Sequence, residues 1–107
     1  MVKRKTLSIK VKREVKEYVD LLKEDKLPIN KVIVFGSQAK NIARKDSDID
    51  ICIISPSFRD KFKALHYLLM KSYLVKGLIE PHPFHPDDFS NDDPLVWEIK
   101  KTGVIVK

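Results

Sequence analysis

The chain has 107 residues, with 21 Lys and Arg against 15 Asp and Glu, a net charge of +6 and a pI near 9.4. That length predicts one domain over 1–107 with a modest core and excludes a sizeable second lobe, so any second substrate platform is expected from elsewhere. The charge favours anionic ligands, but the cations are spread along the chain, which is compatible with phosphate chemistry and does not specifically indicate nucleic acid.

The basic start, Met1 to Lys5, has no apolar stretch behind it, and no run approaches the length of a membrane span. The sole cysteine, Cys52, lies inside an apolar run, which excludes a disulfide within the monomer and predicts a buried neutral thiol. A soluble, cytoplasmic protein is the expectation.

Val11, Val15, Tyr18 and Leu22 recur at helical spacing between charged residues, predicting an amphipathic helix from about Ser8 to Lys26, with Ser8 as N-cap and Pro28 marking the exit. Lys31 to Phe35 is a β-branched and aromatic run closed by Gly36, read as a buried strand. A short helix is expected from Ser37. Asp48 to Ile54 alternates acid with Ile before becoming apolar, so it reads as a second strand whose first half meets something polar. Phe58, Phe62, Leu65, Leu69 and Ser72 trace one face of a second long helix, from about Phe58 to Val75, terminated by Gly77.

Pro81 and Pro83 lie two apart in the extended segment Leu78 to Phe84, so their missing N–H groups fall on one side, as an edge strand allows. Glu80 and His82 then share a face. Asp93-Pro94 predicts an N-cap with proline at N1, opening a helix through Trp97 and Ile99 to Thr102 before Gly103. Val104 to Val106 adds a last strand. The expected fold class is α/β or α+β, a small mixed sheet flanked by helices.

Asp48 and Asp50 stand two apart on a strand, which puts their side chains on one face with α-carbons roughly 6.5–7 Å apart. Repulsion between two carboxylates is relieved by a cation or a proton, and hard oxygen ligands favour Mg²⁺ or Mn²⁺. Before them, Gly36 permits close approach of backbone to a ligand, Ser37 supplies a hydroxyl, and the N–H groups opening the next helix suit a phosphate. No Gly-Lys-Ser/Thr follows Gly36, so this is not a Walker loop. A calcium loop from Asp46 fails as well, because Ile51 stands where Gly is required and Ser57 where Glu is required. His82-x-x-His85 with Asp87 and Asp88 has the composition of a zinc site, but the prolines fix an extended backbone, and surface or supporting histidines are preferred. Trp97 and Phe89 are expected as core or partner-contact aromatics, with core preferred.

Gly36-Ser37-x-Ala39 followed by Asp46-Ser47-Asp48-Ile49-Asp50 resembles the signature of the DNA polymerase beta-like nucleotidyltransferase superfamily, specifically its minimal nucleotidyltransferase domains. The resemblance covers about Val32 to Phe84. It implies that Gly36 and Ser37 contact the phosphates of a nucleoside triphosphate, that Asp48 and Asp50 bind the metals, and that a later strand supplies a third carboxylate, for which Glu80 is the candidate. Where relatives usually carry Asp, this chain has the longer Glu.

The activity so implied is metal-dependent transfer of a nucleoside monophosphate, AMP from ATP, to a hydroxyl on a protein, RNA or small molecule, with Lys40, Arg44 and Lys45 available to neutralise phosphate. An alternative, also from the resemblance, is an antitoxin-like or regulatory partner of a separate HEPN-type helical protein, with a homo-oligomer as a further arrangement. A third reading, a degenerate nucleotide-binding domain, draws on Gln38 and Asn41, where relatives frequently show Arg and Gly. The intact Asp48 and Asp50 argue against it.

Overall fold

A computed structural model describes residues 7–36, 39 and 48–107. The elements in chain order are α1 (Ile9–Glu24), β1 (Lys31–Phe35), β2 (Ile49–Ile54), α2 (Lys61–Ser72), β3 (Ile79–Phe84), a 3-10 turn (Pro86–Asp88), α3 (Pro94–Thr102) and β4 (Val104–Ile105). The strands form one mixed sheet in the order β3-β2-β1-β4. β1 runs antiparallel to β2 and to β4, whereas β2 and β3 are parallel. The sheet is flanked by helices on both sides, the α/β architecture the sequence predicts. The short helix expected at Ser37 lies outside the described residues.

The local signals act as their chemistry requires. Ser8 Oγ accepts from Val11 N at 3.2 Å, and Asp93 Oδ1 accepts from Leu95 N at 2.9 Å with Pro94 in the first turn. Among the described residues β3 pairs with β2 alone, so Pro81 and Pro83 sit on an edge strand, where their missing donors are tolerated.

Two cores lie on opposite faces of the sheet. Val15, Tyr18 and Leu22 of α1 and Leu68 of α2 pack on Val32, Val34, Ile51 and Ile53. Val96 and Ile99 of α3 pack on Ile33, Phe35, Cys52, Ile54 and Phe84. Full burial of a Leu or Ile side chain contributes about 1.5–3 kcal/mol, so the larger first cluster dominates stability. Tyr18 carries its hydroxyl inside by donating to Leu68 O at 2.7 Å. At the rim, Lys71 and Tyr67 of α2 both donate to Asp25 at the end of α1, at 2.8 and 2.7 Å. Lys71 first and Tyr67 second hold the Asp25 carboxyl below its ordinary value of 3.8. No helix among the described residues is long and apolar enough to cross a membrane.

Two expectations are corrected. The second helix begins at Lys61, because Asp60 caps it by accepting from Lys63 N at 3.1 Å, and it ends at Ser72. Its inward face is Ala64, Leu68 and Ser72, while Phe62 is 87% exposed and Leu65 37%. A helix with apolar residues around much of its circumference has no unique phase in sequence. Phe58 is buried, but in the loop ahead of the helix. Trp97 is likewise not core. α3 turns Val96 and Ile99 inward, leaving Trp97 55% exposed beneath the Lys101 ammonium, 4.6 Å from the ring centroid. Phe89 does pack against the second core, edge-on to Phe84.

Candidate functional site

β2 and β3 bring the site together through their register. Asp50 is paired with Glu80 across the parallel ladder, and in parallel strands paired residues project from the same face. The next positions on that face are Cys52 and His82. His82 reaches back along the sheet, placing Nε2 3.2 Å from Asp50 Oδ1 and 4.0 Å from Glu80 Oε1. The imidazole meets the Phe35 ring edge-on with centroids 4.9 Å apart, which fixes its plane. One ligand atom from each of Asp50, Glu80 and His82 lies within 4.8 Å of the others.

Gly36 ends β1 with φ +74, a conformation that L side chains rarely adopt. A Cβ there would also collide with Asp50 Oδ2. The backbone thus favours glycine at this position, and any larger residue would have to displace the Asp50 carboxylate packed against it.

The predicted site residues divide into three groups. Asp50 and Glu80 meet, and Gly36 abuts Asp50. Asp48 precedes β2 in an exposed position and is not one of the three residues whose donor atoms converge. Ser37, Lys40, Arg44, Lys45 and Asp46 lie outside the described residues, as do Gln38 and Asn41. His82 belongs to the cluster more closely than the sequence suggested, and the available signal was its two-residue spacing from Glu80. His85 is different. It is buried, not at the surface, and its Nδ1 accepts from Asp87 N at 3.1 Å to cap the 3-10 turn. His82 and His85 thus make no joint zinc site among the described residues.

Neighbouring Cys52 is fully buried, and burial pushes its thiol up to about 12, so it stands as a neutral wall of the site. Among the described residues, His82 is the sole side chain ion-paired with Asp50 or Glu80. Two carboxylates converging with no Lys or Arg partner among the described residues fit a divalent cation, which would cancel their mutual repulsion.

A family model described as a nucleotidyltransferase domain matches residues 10–104. The chain belongs to that family. No curated protein matches it. In this nucleotidyltransferase domain, the matched span runs from the first turns of α1 to β4 and includes every strand that carries the acidic cluster. A nucleotide substrate and nucleotidyl transfer follow from membership, and the Asp50–Glu80–His82 cluster is compatible with the divalent metal that the family typically uses.

Proposed function

We propose that the chain is a single minimal catalytic domain that transfers a nucleoside monophosphate, AMP from ATP, to a hydroxyl on a protein, RNA or small molecule with Mg²⁺ or Mn²⁺. The observation that carries this reading is the pairing of Asp50 with Glu80 at one end of the sheet in a nucleotidyltransferase domain. Asp48, Asp50 and Glu80 would hold the ion, whose chemistry when bound is to neutralise triphosphate charge and favour the ionised acceptor. Gly36 gives the phosphates access to backbone, Ser37 offers them a hydroxyl, and Lys40 and Arg44 add positive charge.

In the transfer, the acceptor oxygen bonds to the α-phosphorus as the bond from that phosphorus to the bridging oxygen breaks, and pyrophosphate leaves with the electron pair. The acceptor proton passes to solvent or to Glu80, which is 54% exposed and therefore reachable by an incoming hydroxyl. A cytoplasmic setting suits this reading, because ATP is abundant there and the lone thiol stays reduced.

Calorimetry with a non-hydrolysable ATP analogue and Mg²⁺ should show binding that is lost in Asp48→Ala and Asp50→Ala. Incubation with labelled ATP and cell extract should give a labelled product that Asp50→Ala does not make. Unchanged affinity in both variants sinks the site.

A second reading, a module working with a separate helical protein, is favoured by the outer side of α2. Phe62, Leu65 and Met70, together with Tyr73 and Leu74 just beyond, form an exposed apolar surface. The helix carries Lys61, Lys63 and Lys71 and no acid. Lys71 is already paired with Asp25 and Lys61 lies over the Phe84 ring, so the apolar side chains, not charge, make this surface fit an apolar helix of a partner. A doubly substituted Phe62→Ser, Tyr73→Ser protein should keep its melting temperature but fail to retain a helical protein that the parent retains. Equal retention by both proteins removes this reading.

A further inference from the structure

We infer that His82 is a nitrogen ligand of the ion site and makes that site selective for Mn²⁺-class ions over Mg²⁺. The inference rests on the ion-dependent reading above and concerns which ion this chain is built to take. A site made of carboxylates and phosphate oxygens alone suits Mg²⁺, which keeps a shell of oxygens and water. Imidazole shifts preference toward transition metals, along the order Mn²⁺ < Co²⁺ < Ni²⁺.

Geometry favours ligation over a purely supporting role. Ligand atoms about 2.0–2.2 Å from a shared ion stand about 3 Å apart when adjacent in its shell. His82 Nε2 and Asp50 Oδ1 are already 3.2 Å apart. Glu80 Oε1 is 4.0 Å from the same nitrogen, on the most exposed and most freely rotating side chain of the three. His82 cannot easily turn away, since it is three-quarters buried, edge-packed on Phe35, and sits between Pro81 and Pro83. Both prolines narrow the backbone freedom of β3 at the ligand itself. With the proton on Nδ1, the Nε2 lone pair faces the two carboxylates. With the proton on Nε2, the same ring simply donates to Asp50, and that arrangement is the competing role.

The two roles are separated by ion titration of the full chain without nucleotide, using Mn²⁺, Co²⁺ and Mg²⁺, on the parent, His82→Gln, His82→Ala and Asp50→Asn. The Gln side chain retains an N–H that can donate to Asp50 but is a poor ligand. Ligation by His82 predicts that His82→Gln weakens Mn²⁺ and Co²⁺ binding about tenfold or more while Mg²⁺ binding changes less than about twofold. Pulsed EPR of the Mn²⁺-loaded parent should show ¹⁴N coupling that both His82 variants lose.

Equal losses for Mg²⁺ and Mn²⁺, rescue by Gln but not Ala, or no nitrogen coupling in the parent each overturn the inference and leave His82 as a positioning residue for Asp50. Asp50→Asn keeps this failure distinct from failure of the proposed function. It should weaken binding of all three ions, and if it changes none of them, the ion site itself falls along with His82.

Discussion

Along β2, Ile49, Ile51 and Ile53 enter the core beneath α1 and α2, while Asp50, Cys52 and Ile54 point to the side that α3 covers. The first set is apolar from end to end. The second is graded, from Ile54 packed against Phe84, through the neutral Cys52 thiol, to Asp50 with a quarter of its side chain exposed. α3 contributes Val96 and Ile99 to the apolar end of that face, and the acidic cluster forms at the other. The helices above Ile51 and Ile53 thus leave one face for stability alone. On the opposite face, Asp50 and His82 keep about a quarter of their side chains exposed, a partly dry edge where carboxylates can converge without unfolding the sheet.

This division makes neighbouring residues behave oppositely. Asp50→Asn should lower nucleotidyl transfer by at least about 100-fold while shifting stability by less than about 1 kcal/mol, since it removes a like-charge neighbour of Glu80 along with a contact to His82. Ile51→Ala, one residue away and fully buried, should cost about 3 kcal/mol, a fall of roughly 10–20 °C in melting temperature. Below its melting point the same variant should retain transfer within a few-fold. Thermal melts and transfer assays on the pair check the comparison directly, and comparable loss of transfer in both would show that the faces are not independent.

How far the sequence reads depends on which interactions stay local. The caps at Ser8 and Asp93, the alternation in β2 and the two prolines of β3 act within a few residues, so α1, β2, α3 and the edge position of β3 were legible. The meeting of Asp50 and Glu80 was legible only as an expectation carried by family resemblance, because their register is a property of the parallel ladder. The phase of α2 was not legible, since Phe62, Leu65, Leu68 and Leu69 leave several apolar faces open and only packing against the sheet chooses Ala64 and Leu68. Trp97 misled for a related reason: size and hydrophobicity predict burial, but a nine-residue helix that buries Val96 and Ile99 must turn position 97 away. His82 was visible as a face-mate of Glu80, whereas its approach to Asp50 required the third dimension.

Gly36 abuts Asp50 at the end of β1, and substituting it touches both stability and the site. Sequence suggested a glycine for ligand access, yet the described geometry adds a contact within the protein: φ is +74, and the space a Cβ would take is filled by the Asp50 carboxylate. Gly36→Ala should therefore destabilise the fold by about 1–2 kcal/mol from the left-handed backbone alone. It should further reduce transfer, because Asp50 must move to make room. A double-mutant cycle separates the two costs. In an Asp50→Ala background the carboxylate is gone, so Gly36→Ala should retain only the backbone cost and its stability penalty should shrink. An unchanged penalty would mean that the crowding against Asp50 carries no energy, and that Gly36 serves its own backbone rather than the position of the carboxylate.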